Sequence, residues 1–593
     1  MPRILLRSSL PIAGIVVAVL LWGCAKDGKF AWNPQSSARP APKPTSPPPP
    51  KVLPEARGTI AEFAMLTGGG PQPVEGYCLV VGLGNNGGRE CPPAIEKYIA
   101  EWIRKNKLGW KVYGTEELRP TMIIRDPDTA VVRVTGEIPP GTPKGAPFDL
   151  NVAALPQTQT RDLSGGSLMP TELRAALGGG MMNIGAGSKV LAMGDGEVFV
   201  NPFLEPGKAS DQAKFRAGRV IGGGRSLDDR PIRLQLYQPD AGRCRRIVER
   251  INDRFAYTGV EAAKGINSQL IDLKAPPQFR DDIDHFAELV RHLPMAGSGQ
   301  ALDAHAMEVA RMMETTALQE DLAMVWEATG QQAEAVVRQS YTSKNPAVAF
   351  YAARAGLRMG DDMAADVVIK TACTPNAKLQ LPAIEELGRH RRIIAASAVL
   401  RQLLDDENEV VRLAAYDALL RRGDSCITTV SVGGFKMDIV PSTRAYAIYA
   451  TQSKECRLAL FGRNMPVNNP MFLAMPDDLL TMSSVQEELE KGKGKQPCIM
   501  LYRKIQRTGK YSPNFHVEHA VAPLVRMLGS PAEPDEHGKV AGLGFTYGQV
   551  VTVLQRMCKE GSIQARFVLQ QAPDMQRIIE GATGTGRPDV AGS

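Results

Sequence analysis

The stretch that decides the reading is Gly76-Tyr77-Cys78-Leu79-Val80-Val81-Gly82-Leu83-Gly84-Asn85-Asn86-Gly87. Residues 77–81 form an unbroken apolar run, the pattern of a buried strand. The glycines after it fit Gly-x-Gly-x-x-Gly, the spacing of a dinucleotide-binding turn. That reading fails further along the chain. A helix-like stretch runs from 92 to 105, and about 20 positions on, where the dinucleotide pattern needs a strand ending in an acidic residue, stands the helix's basic end, Arg104-Lys105-Asn106-Lys107. The glycines are therefore read as a tight left-handed turn.

Working outward, residues 130–136 alternate as a strand and are turned by Pro139-Pro140-Gly141. Residues 148–152 alternate again, and 163–168 follow. Residues 189–200 read as a hairpin folded at Gly194-Asp195-Gly196, and 231–236 as a further strand. Residues 241–255 predict a helix with Ile247, Val248 and Ile251 on one face. The region is α+β, with many short strands and few helices.

These elements carry an ordered set of motifs: Gly-Tyr-x-Leu-Val-Val-Gly-Leu at 76–83, Val-Thr-x-x-Ile-Pro-Pro at 134–140, a spaced glycine and strand at 145–152, and Gly-Gly-x-Leu-x-x-Thr-x-Leu at 165–173. A small-residue strand at 190–200, Arg-Val-Ile-Gly-Gly-Gly at 219–224 and Leu-x-Leu-x-x-x-Asp at 234–240 complete it, and 271–293 reads as a strand followed by a helix. In order and spacing this region resembles the flagellar P-ring protein family. Each motif is short; their succession over about 220 residues carries the resemblance.

From 296 to 430 the composition shifts to Ala, Leu, Met and charge. Residues 345–361 align with 408–424, with Val348/Val411, Ala352/Ala415, Leu357/Leu420, Gly360/Gly423 and Asp361/Asp424 agreeing. A weaker middle copy spans 376–388. A unit of about 31 residues, each an apolar helix ending at glycine, marks an α-solenoid and resembles HEAT-type repeats, which offer a surface to a protein partner. The ordinary P-ring pattern lacks this segment. Beyond it, 428–432, 445–449, 458–461 and 498–502 read as strands. Residues 544–557 resemble the family's closing helix, with Thr546 at a plausible N-cap, and 561–569 its final strand.

The N-terminal residues predict export. Arg3 and Arg7 precede an uncharged, mostly apolar run at 8–23 that ends Leu21-Trp22-Gly23-Cys24. A cysteine directly after a small residue resembles a lipobox, in which Cys24 is acylated and becomes the first mature residue. The alternative is a short uncleaved anchor. Residues 33–54 hold nine prolines, a composition that favours extended polyproline II. At ~3.1 Å per residue, ~25 residues span up to roughly 80 Å, enough for a tether between lipid and folded body. Export also makes disulfides among the eight other cysteines possible, with no pairing assignable.

With 593 residues, 70 Lys+Arg against 63 Asp+Glu and 22% charged residues, the chain suits about four domains and shows no basic patch that would implicate nucleic acid. Of its seven histidines (285, 292, 305, 390, 516, 519 and 537), only His516 and His519 are closely spaced. They lack His-Glu-x-x-His spacing, and a surface or structural role is read for them. There is no nucleophile elbow and no Walker loop. No cofactor or metal site is assigned, and the chain reads as a non-enzyme.

The organisation expected is a lipoprotein signal peptide at 1–23, a lipid-anchored proline-rich linker at 24–56, a P-ring-like α+β region at 57–295, HEAT-like helices at 296–430 and a second P-ring-like α+β region at 431–593. The resemblance implies a homo-oligomeric ring in the periplasm, around the flagellar rod at the peptidoglycan layer, beside L-ring proteins and the outer membrane. The alternative is an envelope-anchored paralogue that scaffolds another complex through its helices. The anchor is testable directly: Cys24→Ala abolishes membrane association in cell fractionation, whereas unchanged association excludes lipidation as the anchor.

Overall fold

In the computed structural model, residues 57–571 are described, except 108–118, 177–188, 206, 281, 298, 477–478, 489–494, 505–508 and 533–539. The expected signal peptide, Cys24 and the proline-rich spacer lie outside the described residues.

The first strands are β1 (Ala64–Thr67), β2 (Gln72–Val81), β3 (Thr129–Ile138), β4 (Pro147–Ala154), β5 (Ser167–Ala175), β6 (Val190–Glu197), β7 (Ala217–Ser226), β8 (Ile232–Leu236), β9 (Ala263–Gly265) and β10 (Leu270–Leu273). Six of them close into an antiparallel barrel in the order β2-β3-β4-β7-β6-β5. Phe148, Leu150, Val152 and Ala154 of β4 are buried on its inner face, with intermediate residues between them. So narrow a barrel holds few large side chains, and small residues must face them. A Cβ at Gly194 would lie 2.5 Å from Leu150 Cδ1, and one at Gly224 2.6 Å from the Phe148 ring.

This corrects the hairpin expected over 189–200. β6 runs unbroken through Gly194-Asp195-Gly196, pairing Gly194 with Thr171 on one side and Gly224 on the other. The glycines that read as a turn are there to leave room.

β2 and β5 pair only at their ends, with a register shift between Glu75 and Val80. Helix α1 (Pro93–Lys105) lies against this irregularity. Its Ile95, Ile99 and Ile103 form a buried stripe at helical spacing, and Trp102 Nε1 donates to Pro170 O at 2.8 Å. A second layer is the antiparallel sheet β1-β8-β10-β9. It shares a core with α2 (Ala241–Phe255) and α3 (Ile283–Arg291) through Ile247, Ile251, Phe286 and Val290. Val248, predicted on that buried face, is only partly covered.

The chain then becomes wholly helical: α4 (Gly299–Thr315), α5 (Gln319–Thr329), α6 (Glu334–Ser340), α7 (Pro346–Met359), α8 (Ala365–Ala372), α9 (Gln380–Arg389), α10 (Ile394–Leu403) and α11 (Glu409–Arg422). The two aligned segments carry matching caps. Asn345 Oδ1 accepts from the Ala347 N–H at 3.0 Å, and Asn408 Oδ1 from Val410 N–H at 3.0 Å. Gly360 and Gly423 end the two helices in the left-handed conformation, at φ 98° and 64°. The match extends to a residue outside the aligned segments. Arg338 of α6 bonds Asp361 at 2.8 Å, and Arg401 of α10 bonds Asp424 at 2.7 Å; both arginines precede their aspartates by 23 residues. The middle copy differs. Gly388 lies inside α9, where a Cβ would stand 2.8 Å from Ala418 Cα of α11, so it permits close packing and caps nothing.

The last region contains β11 (Thr428–Val432), β12 (Phe435–Val440), β13 (Ala447–Ala450), β14 (Arg457–Phe461), β15 (Phe472–Ala474), β16 (Thr481–Glu488), β17 (Lys495–Tyr502), β18 (Phe515–Val517), α12 (Val521–Gly529), α13 (Tyr547–Lys559) and β19 (Arg566–Leu569). Two sheets result, β11-β12-β14-β13-β19 and the antiparallel β15-β16-β17-β18. All four strands expected here are present. Thr546 caps α13 in a capping box with Gln549.

The two kinds of glycine separate by mutation. Gly423→Ala forces a left-handed non-glycine residue and destabilises by about 1 kcal/mol. Gly388→Ala pushes α9 off α11 and destabilises by about 1–3 kcal/mol despite a gain in helix propensity. Urea midpoints at unchanged m-value read both.

Candidate assembly surfaces and the joints behind them

The glycine turn after β2 is no phosphate cradle, because its amides are spent. The Leu83 N–H donates to Asp128 O at 3.0 Å, Gly84 N–H to Asp128 Oδ1 at 2.6 Å, and Gly87 N–H to Pro127 O at 3.0 Å. Gly82 and Gly84 take φ of 83° and 64°, the left-handed turn the sequence implied.

All eight described cysteines are free thiols. Burial pushes Cys78 and Cys558 up to about 11 and Cys456 up to about 12, which keeps them protonated and poorly nucleophilic near neutrality. His516 lies on β18, and both ring nitrogens of His519 are buried without a hydrogen-bond partner. Among the described residues no three His, Cys, Asp or Glu side chains are grouped to hold a metal. No described helix is long and apolar enough to cross a membrane.

What the residues do build is a set of charged joints. Glu386 of α9 is buried, with Arg358 of α7 donating to its two oxygens at 2.8 and 2.6 Å and His390 Nε2 at 2.8 Å. Burial alone would raise this carboxyl, but the hydrogen bonds from Arg358 and His390 outweigh it and hold it well below the usual range. Arg358 also reaches the buried Glu327 of α5 at 3.4 Å and lies against the ring nitrogens of His285 on α3. His285 Nε2 in turn meets Glu327 Oε1, and Arg389 pairs with Asp282 at the N-cap of α3. Arg254 of α2 donates to the Ala328 and Glu327 carbonyls at 2.9 and 3.1 Å. The helices are thus bonded to the barrel's companion layer.

At the other end, Asp438 of β12 is fully buried. It accepts from Tyr416 of α11 at 2.6 Å, from Arg457 of β14 at 2.6 Å, and from Thr429 of β11. A third joint ties the last region to the barrel. Asp149 of β4 accepts from Arg219 at 3.1 Å, Gly222 N–H at 2.8 Å and Lys454 N–H at 3.1 Å. Tyr547 stacks on Phe199 at 5.6 Å, and Lys559 pairs with Glu205 at 2.6 Å.

The barrel's outer face also carries an open groove of about 1200 Å³. Strand register aligns Glu75, Thr135, Asn151 and Arg219 as a polar row across four strands, with Tyr77 opposite Arg133 beside it. Asn151 Oδ1 is buried without a partner. Among the described residues no serine, cysteine or histidine lines the groove. Amide, hydroxyl and guanidinium groups there suit hydrogen bonding to a polar surface.

Fold and joints together make a body whose elements are bonded to one another through buried charge. Residues 59–301 match the family model described as flagellar P-ring protein. The matched span covers the barrel and the α2/α3 layer and ends inside the first turn of α4. Similar chains are the flagellar P-ring protein of Bradyrhizobium sp., 27% identical over 248 residues (40% of this chain, 60% of that one), and that of Anaeromyxobacter dehalogenans, 27% over 251 residues (41% and 61%). The flagellar P-ring protein of Thermotoga maritima is 27% identical over 246 residues (40% and 66%). Over this segment the chain resembles the flagellar P-ring family, and it spans about three-fifths of the length of the first of these relatives.

The Glu386 joint has a pH signature. Its folded carboxyl titrates below the ordinary 4.5, so below that pH the unfolded chain binds the extra proton. Its contribution to stability is therefore full above about pH 4.5 and is lost as pH falls towards the folded value. Glu386→Gln flattens this acid limb, read by urea unfolding between pH 3 and 6.

Proposed function

We propose that this chain is a structural subunit of the flagellar basal-body P ring. Subunits pack as a homo-oligomer around the rod in the periplasm, at the peptidoglycan layer and beside L-ring proteins, and support motility without catalysis. The observation that carries this reading is the family match over 59–301, which coincides with the closed barrel and its α2/α3 layer. On this reading Cys24 carries lipid into the outer membrane and the proline-rich spacer bridges to the folded body.

The helices α4–α11 act as a HEAT-like array inserted between two P-ring-like regions, 57–295 and 431–593. Matching caps at Asn345 and Asn408 and matching Arg–Asp pairs support the repeat. A second reading, an envelope-anchored paralogue scaffolding another complex, is favoured by the same helices, which lie almost wholly beyond the family match. Purified basal bodies decide between them. Under the first reading they contain this chain, and its deletion abolishes motility and the ring. Normal motility with intact basal bodies after deletion overturns it.

A further inference from the structure

The sheet β11-β12-β14-β13-β19 is covered on both faces. Leu458 and Leu460 share a core with Leu524 of α12 and Leu554 of α13, and Tyr449 and Ala459 share one with Tyr416 and Leu419 of α11. Its two edges are left. Among the described residues no strand lies beyond β11 on one side or β19 on the other. A strand edge is a row of backbone groups that pairs with another strand unless charge, proline or a bulge prevents it. β11 reads Thr-Thr-Val-Ser-Val, with no charge and no proline, and it pairs with β12 without a register shift.

Three features make the two edges fit each other. The first is direction. β11 is antiparallel to β12, β12 parallel to β14, β14 antiparallel to β13 and β13 parallel to β19, so β11 and β19 run the same way. The second is hydrogen-bond phase. The Lys436 N–H of β12 donates to Cys456 O at the start of β14. Phe435, Met437 and Ile439 therefore serve β11, and their register partners leave Thr429 and Ser431 with backbone groups turned outward. On β19 the Arg566 N–H donates to Tyr446 O, and Gln570 N–H beyond its end to Ala450 O, so Phe567 and Leu569 turn theirs outward. A parallel pair can then bond Phe567 N–H to Thr429 O, Ser431 N–H to Phe567 O and Leu569 N–H to Ser431 O. The third is the apolar margin. That register sets Phe567 beside Val430 and Leu569 beside Val432. Val430, Phe567 and Leu569 pack on the same core, and each is only partly covered.

We propose that β19 of one copy pairs in parallel with β11 of the next, so that the sheet continues from copy to copy. The contact is head to tail, and contacts of that kind can close into a ring. Closure rests on the P-ring reading. The pairing itself does not, because both strands lie beyond the matched span. One strand pair is small beside the ~1,000 Å² of a stable interface. Pairing is therefore weak between free chains and takes hold where chains are held side by side.

The test uses the concentrated full-length chain in mild detergent, with a photo-crosslinking residue, p-benzoylphenylalanine, in place of the exposed Ser431. Light chains with the probe are mixed with isotopically heavy chains without it, so that cross-links between copies are distinguished by mass. These are expected to land at 566–570. Leu569→Pro in the heavy chain removes a pairing N–H that makes no bond within its own sheet. It lowers the light–heavy yield at least tenfold, while light–light links persist in the same mixture. A Leu569→Pro chain given the probe at 431 still cross-links to the unaltered β19 of other chains, which shows that it is folded and that the contact is head to tail. The landing site decides the proposal whether or not that variant folds. Links that land on β11 of the other copy, land elsewhere or do not form overturn it, as does a folded Leu569→Pro chain captured as well as the unaltered one. Absence of the chain from basal bodies counts against the P-ring reading alone, and its presence there without these cross-links counts against the pairing alone.

Discussion

Two carboxylates removed from water fix how the helical array meets its neighbours. Glu386 lies within the helical array and Asp438 in the sheet after it, and a buried carboxylate needs hydrogen-bond donors brought to it. Those partners come from elsewhere in the chain: Arg358 and His390 for Glu386, and Arg457, Tyr416 and Thr429 for Asp438. Such bonds add little net stability against a well-packed apolar alternative, but losing one partner strands a buried charge. Their consequence is placement. Helices that could slide against one another on Ala and Leu contacts are fixed by short directional bonds to the layer before them and the sheet after them.

The barrel imposes the second constraint. Six strands enclose so little space that Leu150 and Phe148 of one strand press against Gly194 and Gly224 of two others, where no Cβ would fit. Glycine density in this region is therefore a packing feature as much as a turn feature. The family resemblance rests on many of the same positions, including Gly224 in the Arg-Val-Ile-Gly-Gly-Gly step.

Elements whose signals are local were legible. The strand at 77–81, the helices after Asp240 and Thr546, and the capped repeat at 345–361 and 408–424 each have their cause within a few residues. What the sequence hid depends on partners far along the chain. β12 reads poorly because Lys436 and Asp438 interrupt its apolar run, yet Asp438 is buried by bonds to Tyr416 and Arg457. β16, with Ser483, Ser484 and Gln486, carries almost no hydrophobic signal and is held by its register with β17. The joint linking His285, Glu327, Arg358 and Glu386 spans a hundred residues and has no motif. The recurrence of Arg338 and Arg401 at a common distance before their aspartates was a legible signal, but it marks two separate ion pairs and not this joint.

The sequence alone determined the α+β character, the family likeness of the first region, the matching helix caps at 345 and 408 and most strand and helix positions. Periodicity, caps and left-handed glycines act over a few residues and leave their mark there. Only the tertiary structure decided that the barrel closes, that Gly194 and Gly196 lie within a strand where a turn was expected, that Gly388 is a contact and Gly360 a cap, and which charges are buried together. Those outcomes turn on the space and charge left by residues distant in sequence. A glycine required for room and a glycine required for a turn are the same letter until the neighbouring strand is in place.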